Sequence, residues 1–287
     1  MEKNWINSLK FYSEQHEWYE KETLNQISSY FIGDDIRYIV EIGCSDNSYH
    51  LNDPMLNKAT GLLIDGSSEK LKVYNGIDQF KTISMMINPN NIVDILLENN
   101  VPNDFFMLNL DIDGLDFFVL LSILKKYKPK HIVTEYNEKI PSNVKYTIKN
   151  DDSFRWGWCH NYGYSVACIE DIMTMFGYKI DNIIVNNIYL TKIEDDKSPN
   201  IEDVYNLYKS SYVDKKDWLY ESFSPWNKDV DHLHGKTKME TEILIADYFR
   251  NNLNVNNGSS MVDELDKYII GEEYDEYIRT IKKNINI

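Results

Sequence analysis

Short apolar runs, each closed by a polar or acidic residue, alternate along the first two thirds of the chain with stretches in which apolar positions recur every three or four residues. The runs predict buried strands over 38–43, 61–65, 81–87, 105–110 and 130–135. The periodic stretches predict helices over 91–99 and 115–126; the second buries Phe118, Leu121, Ile123 and Leu124 and stops before Pro129. A further helix spans 166–176 and ends at Gly177. Two β-like runs, 180–185 and 187–191, predict an antiparallel hairpin closing the sheet. Strands and helices alternating at this spacing indicate a mostly parallel sheet with crossover helices.

Outside that pattern the texture differs. Residues 3–31 carry a helical stripe, 138–153 read as a polar loop, and 202–223 and 238–253 read as tyrosine-rich helices. Residues 251–260 form a turn-rich linker ahead of a short acidic helix. The expected division is a helical N-terminal segment (1–33), an α/β core (34–195) and a mainly helical C-terminal extension (196–287) serving as a lid, a substrate contact or an oligomer contact.

Charge narrows the partners. A net charge of -16 argues against a duplex nucleic-acid partner and against an anionic membrane surface, since both require a basic face. No apolar run reaches the roughly 18 residues of a membrane helix, and the first residues lack a signal-peptide core, so a cytoplasmic protein is expected. Cys44, Cys159 and Cys168 have no metal-site spacing and read as reduced, buried thiols.

The candidate chemistry lies at the strand ends. In an open α/β sheet, ligands bind beyond the carboxyl ends of the strands. The first strand ends Glu41-Ile42-Gly43-Cys44-Ser45-Asp46, where a single glycine permits close backbone approach but supplies no dinucleotide or phosphate-loop fingerprint. The second ends in Asp65, suited to ribose hydroxyls or to capping the next helix. The fourth ends Asn109-Leu110-Asp111-Ile112-Asp113-Gly114-Leu115-Asp116 and the fifth ends Glu135-Tyr136-Asn137. Carboxylates gathered there repel unless a proton or cation intervenes. One can act as a base toward a hydroxyl, or two can hold Mg²⁺. His160, in an aromatic stretch that includes Trp156 and Trp158, is a second candidate base.

The order of these motifs resembles a class I S-adenosylmethionine-dependent methyltransferase, and Asp111-Ile112-Asp113-Gly114-Leu115-Asp116 is similar to the fourth-strand signature of the FkbM-like branch. Asn88-Pro89-Asn90-Asn91-Ile92 and Val133-Thr134-Glu135-Tyr136-Asn137 also resemble that branch, over roughly residues 36–192. The resemblance implies a Rossmann-like sheet with an antiparallel last strand and O-methylation of a small-molecule or sugar hydroxyl, with S-adenosylmethionine as cofactor and Mg²⁺ as an optional second. By the same resemblance, Glu41 and Gly43 line the methionine portion, Asp46 is a further cofactor contact, Asp65 holds the ribose, and Asn88 and Asn91 lie near the adenine. Asp111 and Asp113 face the sulfonium and acceptor, with Asp113, His160 and Glu135 as the catalytic set and no dedicated metal ligands. The first motif departs from the pattern, with Asp46 and Asn47 where small residues are usual, which keeps a non-catalytic binding or scaffold protein as an alternative. A metal-dependent hydrolase using the aspartates is another, and a homo-oligomer is compatible with either.

Overall fold

A computed structural model describes residues 17–33, 35–44, 58–156, 160–193, 199–222, 224–252 and 268–285. Asp46, Trp158 and Cys159, the first half of the N-terminal stripe and most of the predicted linker lie outside the described residues.

The strands are β1 (Arg37–Ile42), β2 (Ala59–Asp65), β3 (Phe80–Ser84), β4 (Met107–Leu110), β5 (His131–Glu135), β6 (Tyr146–Ile148), β7 (Tyr178–Ile184), β8 (Asn187–Lys192) and β9 (Tyr268–Ile270). The runs of β1, β2, β4 and β5 form strands because both faces of the sheet are covered there, which favours continuous rather than alternating hydrophobicity, whereas the edge run of β3 is mostly exposed. Seven make one sheet in the order β3-β2-β1-β4-β5-β8-β7. The first five run parallel, β8 lies antiparallel to β5, and the β7–β8 hairpin completes the edge. This is the Rossmann-like sheet of class I methyltransferases, reversed last strand included. The order switches direction at β1 and β4, the pair whose carboxyl ends open a crevice in folds of this kind.

Helices cover both faces: α1 (residues 17–28), α2 (Ile92–Glu98), α3 (Asp116–Leu124), α4 (Ile169–Phe176), α5 (Glu202–Ser211), α6 (Lys216–Ser222), α7 (Lys238–Asn252) and α8 (Glu272–Asn284). Gly177, at φ 67°, supplies the left-handed cap that ends α4. Most of α3 is buried, as a helix apolar on nearly all sides must be. Its outer face is covered by α8, with Phe117 5.9 Å from Tyr274 and Phe118 5.5 Å from Tyr277 between ring centres. Asp171 on α4 accepts Lys282 Nζ of α8 at 2.9 Å and Lys145 Nζ at 2.7 Å. Tyr208, Leu219, Tyr274 and Ile278 of the C-terminal third therefore pack into the same core as the sheet, while Val230, Leu233, Ile245 and Phe249 join a second, smaller core. No described helix is long and apolar enough to cross a membrane.

One expectation is corrected. The segment 138–153, read as a polar loop, has its first half mostly buried and contains β6, which pairs antiparallel with β9 from the far end of the chain. Its charges turn inward because they satisfy one another: Lys139 Nζ lies 3.4 Å from Glu138 Oε1 and donates to Tyr162 Oη at 3.0 Å.

Candidate active site

A cleft of about 440 Å³ opens beyond the carboxyl ends of β1, β2, β3 and β4, where the polar ends of the apolar runs converge. One wall is the β1 turn. Gly43, at φ 83°, has no room for a side chain, because a Cβ there would sit 1.6 Å from the Asp111 carbonyl oxygen. The glycine that suggested close approach to a ligand thus first admits the neighbouring strand: Asp111 N–H bonds to the Ile42 carbonyl at 3.0 Å, and Gly43 N–H to that of Ile64 at 2.8 Å. Both tips are fixed by backbone before any ligand arrives.

Asp65 closes β2 and lines the cleft. Its Oδ1 accepts the Ser67 N–H at 2.7 Å, an Asx turn that orients the carboxylate and leaves acceptor capacity for hydroxyl donors. Lys70 and Arg155 bring positive charge to the same cleft, and Met85, Met86, Ile87, Phe154 and Trp156 give it apolar walls. Among these Phe154, Arg155 and Trp156 carried a sequence signal, as part of an aromatic run. The methionines follow β3 in sequence, where nothing distinguishes a cleft wall from core.

The β4 tip is a compact turn. Asp116 is fully buried and accepts the N–H groups of Ile112 at 2.9 Å and Gly114 at 2.8 Å, which fixes the loop. Asp113 takes the left-handed conformation at φ 54°, which aspartate tolerates better than most residues. The loop brings single carboxylate oxygens of Asp111, Asp113 and Glu135 within 4.8 Å of one another. Glu135 is buried, and its Oε1 accepts Asn186 Nδ2 at 2.8 Å from the β7–β8 turn. Its Oε2 is buried with no hydrogen-bond partner.

Burial shifts these acids in one direction. Burial, then Asp113 and Asp116, push Asp111 up to about 8. Burial raises Asp116 to about 7 against the pull of its two backbone donors. Burial and then Asp111 hold Glu135 well above the carboxylate range. Asp113 is raised by burial, while Lys70 and Lys139 act in the opposite sense.

The remaining candidates fall elsewhere. Glu41 is buried behind the cleft and accepts Asn109 Nδ2 at 3.3 Å, joining β1 to β4. Asn88 and Asn91 cap the start of α2 reciprocally: Asn88 Oδ1 accepts the Asn91 N–H at 3.0 Å, and Asn91 Oδ1 accepts the Asn88 N–H at 2.9 Å. Neither is among the residues lining the cleft. His160 also lies apart from the cleft walls, with Nε2 3.6 Å from Asp229 and its ring against Tyr248. Burial, then Lys139, lower its pKa. The structure therefore gathers Gly43, Asp65, Asp111, Asp113 and Glu135, and leaves Glu41, Asn88, Asn91 and His160 outside the group.

No protein-family model matches the chain, and no curated protein sequence matches it. Solved structures to which the chain shows similarity include a hemolysin candidate from Streptococcus thermophilus (11% identity, 69% of this chain and 73% of that one, TM-score 0.40). Others are a SAM-dependent methyltransferase from Aquifex aeolicus (14% identity, 61% and 89%, TM-score 0.35) and the N-methyltransferase NodS from Bradyrhizobium japonicum WM9 (12% identity, 64% and 98%, TM-score 0.36).

Proposed function

We propose that this chain is an S-adenosylmethionine-dependent methyltransferase that methylates a hydroxyl of a small molecule or sugar. The observation carrying this reading is a single cleft with Asp65 at the β2 tip, the Gly43 turn beside it and Asp111 and Asp113 across from it. Those groups suit a nucleoside bearing a positive sulfonium. The Asp65 carboxylate accepts from vicinal ribose hydroxyls, the apolar wall at Met85–Ile87 takes a flat base, and the acidic β4 tip stabilises the positive centre.

When bound, S-adenosylmethionine supplies a methyl group activated toward in-line displacement. The chain then contributes position and charge. Two fixed strand tips hold the reactants in line, an effect worth up to about 7–11 kcal/mol when alignment is ideal. Asp113, exposed at the cleft with a raised pKa, takes the acceptor proton as a general base. Glu135 orients the acceptor from the next strand.

Calorimetric titration with S-adenosylmethionine and S-adenosylhomocysteine tests the reading. Micromolar binding, weakened about tenfold by Asp65→Ala through loss of charge-assisted hydrogen bonds, is expected. Binding of neither nucleoside would remove the proposal and favour a scaffold protein. Asp113→Asn should retain binding and lower turnover about 10²-fold or more; unchanged turnover would take Asp113 out of the mechanism.

A further inference from the structure

Two cations line the cleft that the chain itself does not pair. Acidic side chains outnumber basic ones, 46 to 30, yet neither Lys70 nor Arg155 forms an ion pair with a carboxylate among the described residues. Both are exposed, so they stand at the mouth of the cleft rather than at its floor. Arg155 is held in place. Its Nη1 donates to the Asp152 carbonyl at 2.9 Å and to the Phe154 carbonyl, which leaves Nε and Nη2 without an acceptor among the described residues. The turn that carries it is fixed twice: Asp151 Oδ1 accepts the Ser153 N–H at 2.8 Å, and Asp152 Oδ2 accepts Asn90 Nδ2 at 2.8 Å. Phe154 packs on the β4 turn so closely that a Cβ on Gly114 would lie 2.9 Å from its ring. Arg155 is thereby set in the cleft wall beside the turn that carries Asp113.

We propose that the acceptor carries a phosphate group, held at the mouth of the cleft by Arg155 and Lys70, so that the substrate class is a phosphorylated sugar or alcohol. The inference rests on the methyl-transfer reading and names its acceptor. A guanidinium offers phosphate paired donors in a fixed plane, and an ammonium adds a point charge. Two cations together suit a dianion better than a neutral hydroxyl or a single carboxylate. The acids of the cleft do not cancel this attraction. Asp111, pushed up to about 8, is mostly protonated at neutral pH. Asp65 is buried at the β2 tip, with Oδ1 committed to Ser67. Lys70 lies within electrostatic reach of Asp113 and lowers its carboxyl against the effect of burial. A phosphate held at Lys70 therefore leaves the rest of the acceptor close to the base. The cofactor's own carboxylate is the competing claimant for these cations, and the test separates the two.

The experiment is calorimetric titration of the full chain with inorganic phosphate, and in parallel with acetate, at fixed ionic strength, with and without saturating S-adenosylhomocysteine. With the nucleoside bound, phosphate should bind saturably at one per chain and more tightly than acetate. Arg155→Ala should weaken it about tenfold. Lys70→Ala, which removes a side chain outside any described ion pair, should weaken it about threefold. Lys126→Ala, an exposed lysine outside the cleft, should leave it unchanged. If either cleft variant lowers nucleoside affinity while phosphate binding holds, the cations belong to the cofactor carboxylate and the proposal is overturned. Nucleoside binding with no saturable phosphate binding, or with acetate bound as tightly as phosphate, also overturns it and leaves the methyl-transfer reading standing. Absence of nucleoside binding overturns that reading, and the acceptor role with it. Should Arg155→Ala loosen its turn, seen as a changed circular dichroism spectrum, Lys70→Ala decides alone.

Discussion

Glu135 and Glu138 are three residues apart, both nearly excluded from solvent, and in opposite electrostatic conditions. Glu138 accepts Tyr162 Oη at 2.7 Å and Asn227 Nδ2 at 2.8 Å, with Lys139 Nζ at 3.4 Å. Burial pushes its carboxyl up, but Lys139 and the two hydrogen bonds outweigh burial and hold it below the usual value. Glu135 accepts one hydrogen bond, from Asn186, while burial and then Asp111, Asp113, Asp116 and Glu138 push its proton affinity up. The difference separates two uses of a buried carboxylate. One is saturated by its own chain and fastens the C-terminal third to the core. The other has a single donor and lies beside the acids of the β4 tip. Burial alone does not distinguish them; the count of donors does.

The largest test breaks the saturated member. Glu138→Ala strands Lys139 without its counter-charge, and removing one partner of a buried pair costs about 3–5 kcal/mol. Urea denaturation should show that loss, and a change below about 1 kcal/mol would mean the pair is dispensable. Asp171 is a second saturated acid and sharpens the point. Burial raises it, yet hydrogen bonds from Lys145 and Lys282 bring it below its ordinary value. A depressed carboxylate stabilises the fold above its unfolded pKa, and that contribution is lost as pH falls through the folded value. Asp171→Asn should therefore cost about 1–3 kcal/mol at pH 7, and its stability should vary less than that of wild type below about pH 4.

The unsaturated member should behave in the opposite sense. Glu135→Gln removes a carboxyl whose surroundings disfavour its anion while retaining an acceptor for Asn186, so stability at pH 8 should stay level or rise by about 1 kcal/mol. A melting point lowered by several degrees would show that Glu135 is a structural acid after all. The smallest effect belongs to His160 and Asp229, whose pair has a mostly exposed carboxylate. Asp229→Asn should change stability by less than about 0.5 kcal/mol and leave nucleoside affinity unaltered.

Periodicity made the sheet legible. β1 through β5 and the β7–β8 hairpin lie close to the apolar runs, because burial on both faces of the central strands writes itself into consecutive residues, although edge strand β3 is mostly exposed. The carboxylate trio was legible for the same reason, since strand ends are countable. What pairs across distance was not. Tyr146 meets Ile270 in a two-stranded sheet, and neither run announces its partner. Asn88 and Asn91 show a different limit: asparagines after a strand suit a ligand and a helix start equally, and here they cap α2. Glu138 and Lys139 read as solvated loop charges because adjacent opposite charges carry no mark of being inside.

The β6–β9 pairing also bears on how the chain is made. Its strands are separated by roughly 120 residues, so the loop they close is long and among the last to be available during synthesis. Until Ile270 has cleared the ribosome, Tyr146 lacks its strand partner, and the small core it shares with Ile140, Val144 and Phe249 lacks its edge. The parallel sheet is spelled out well before that moment. A nascent chain would therefore display a formed cleft on a half-covered body, and its requirement for chaperone protection should end only with the arrival of β9 and of α8, which covers Phe117 and Phe118.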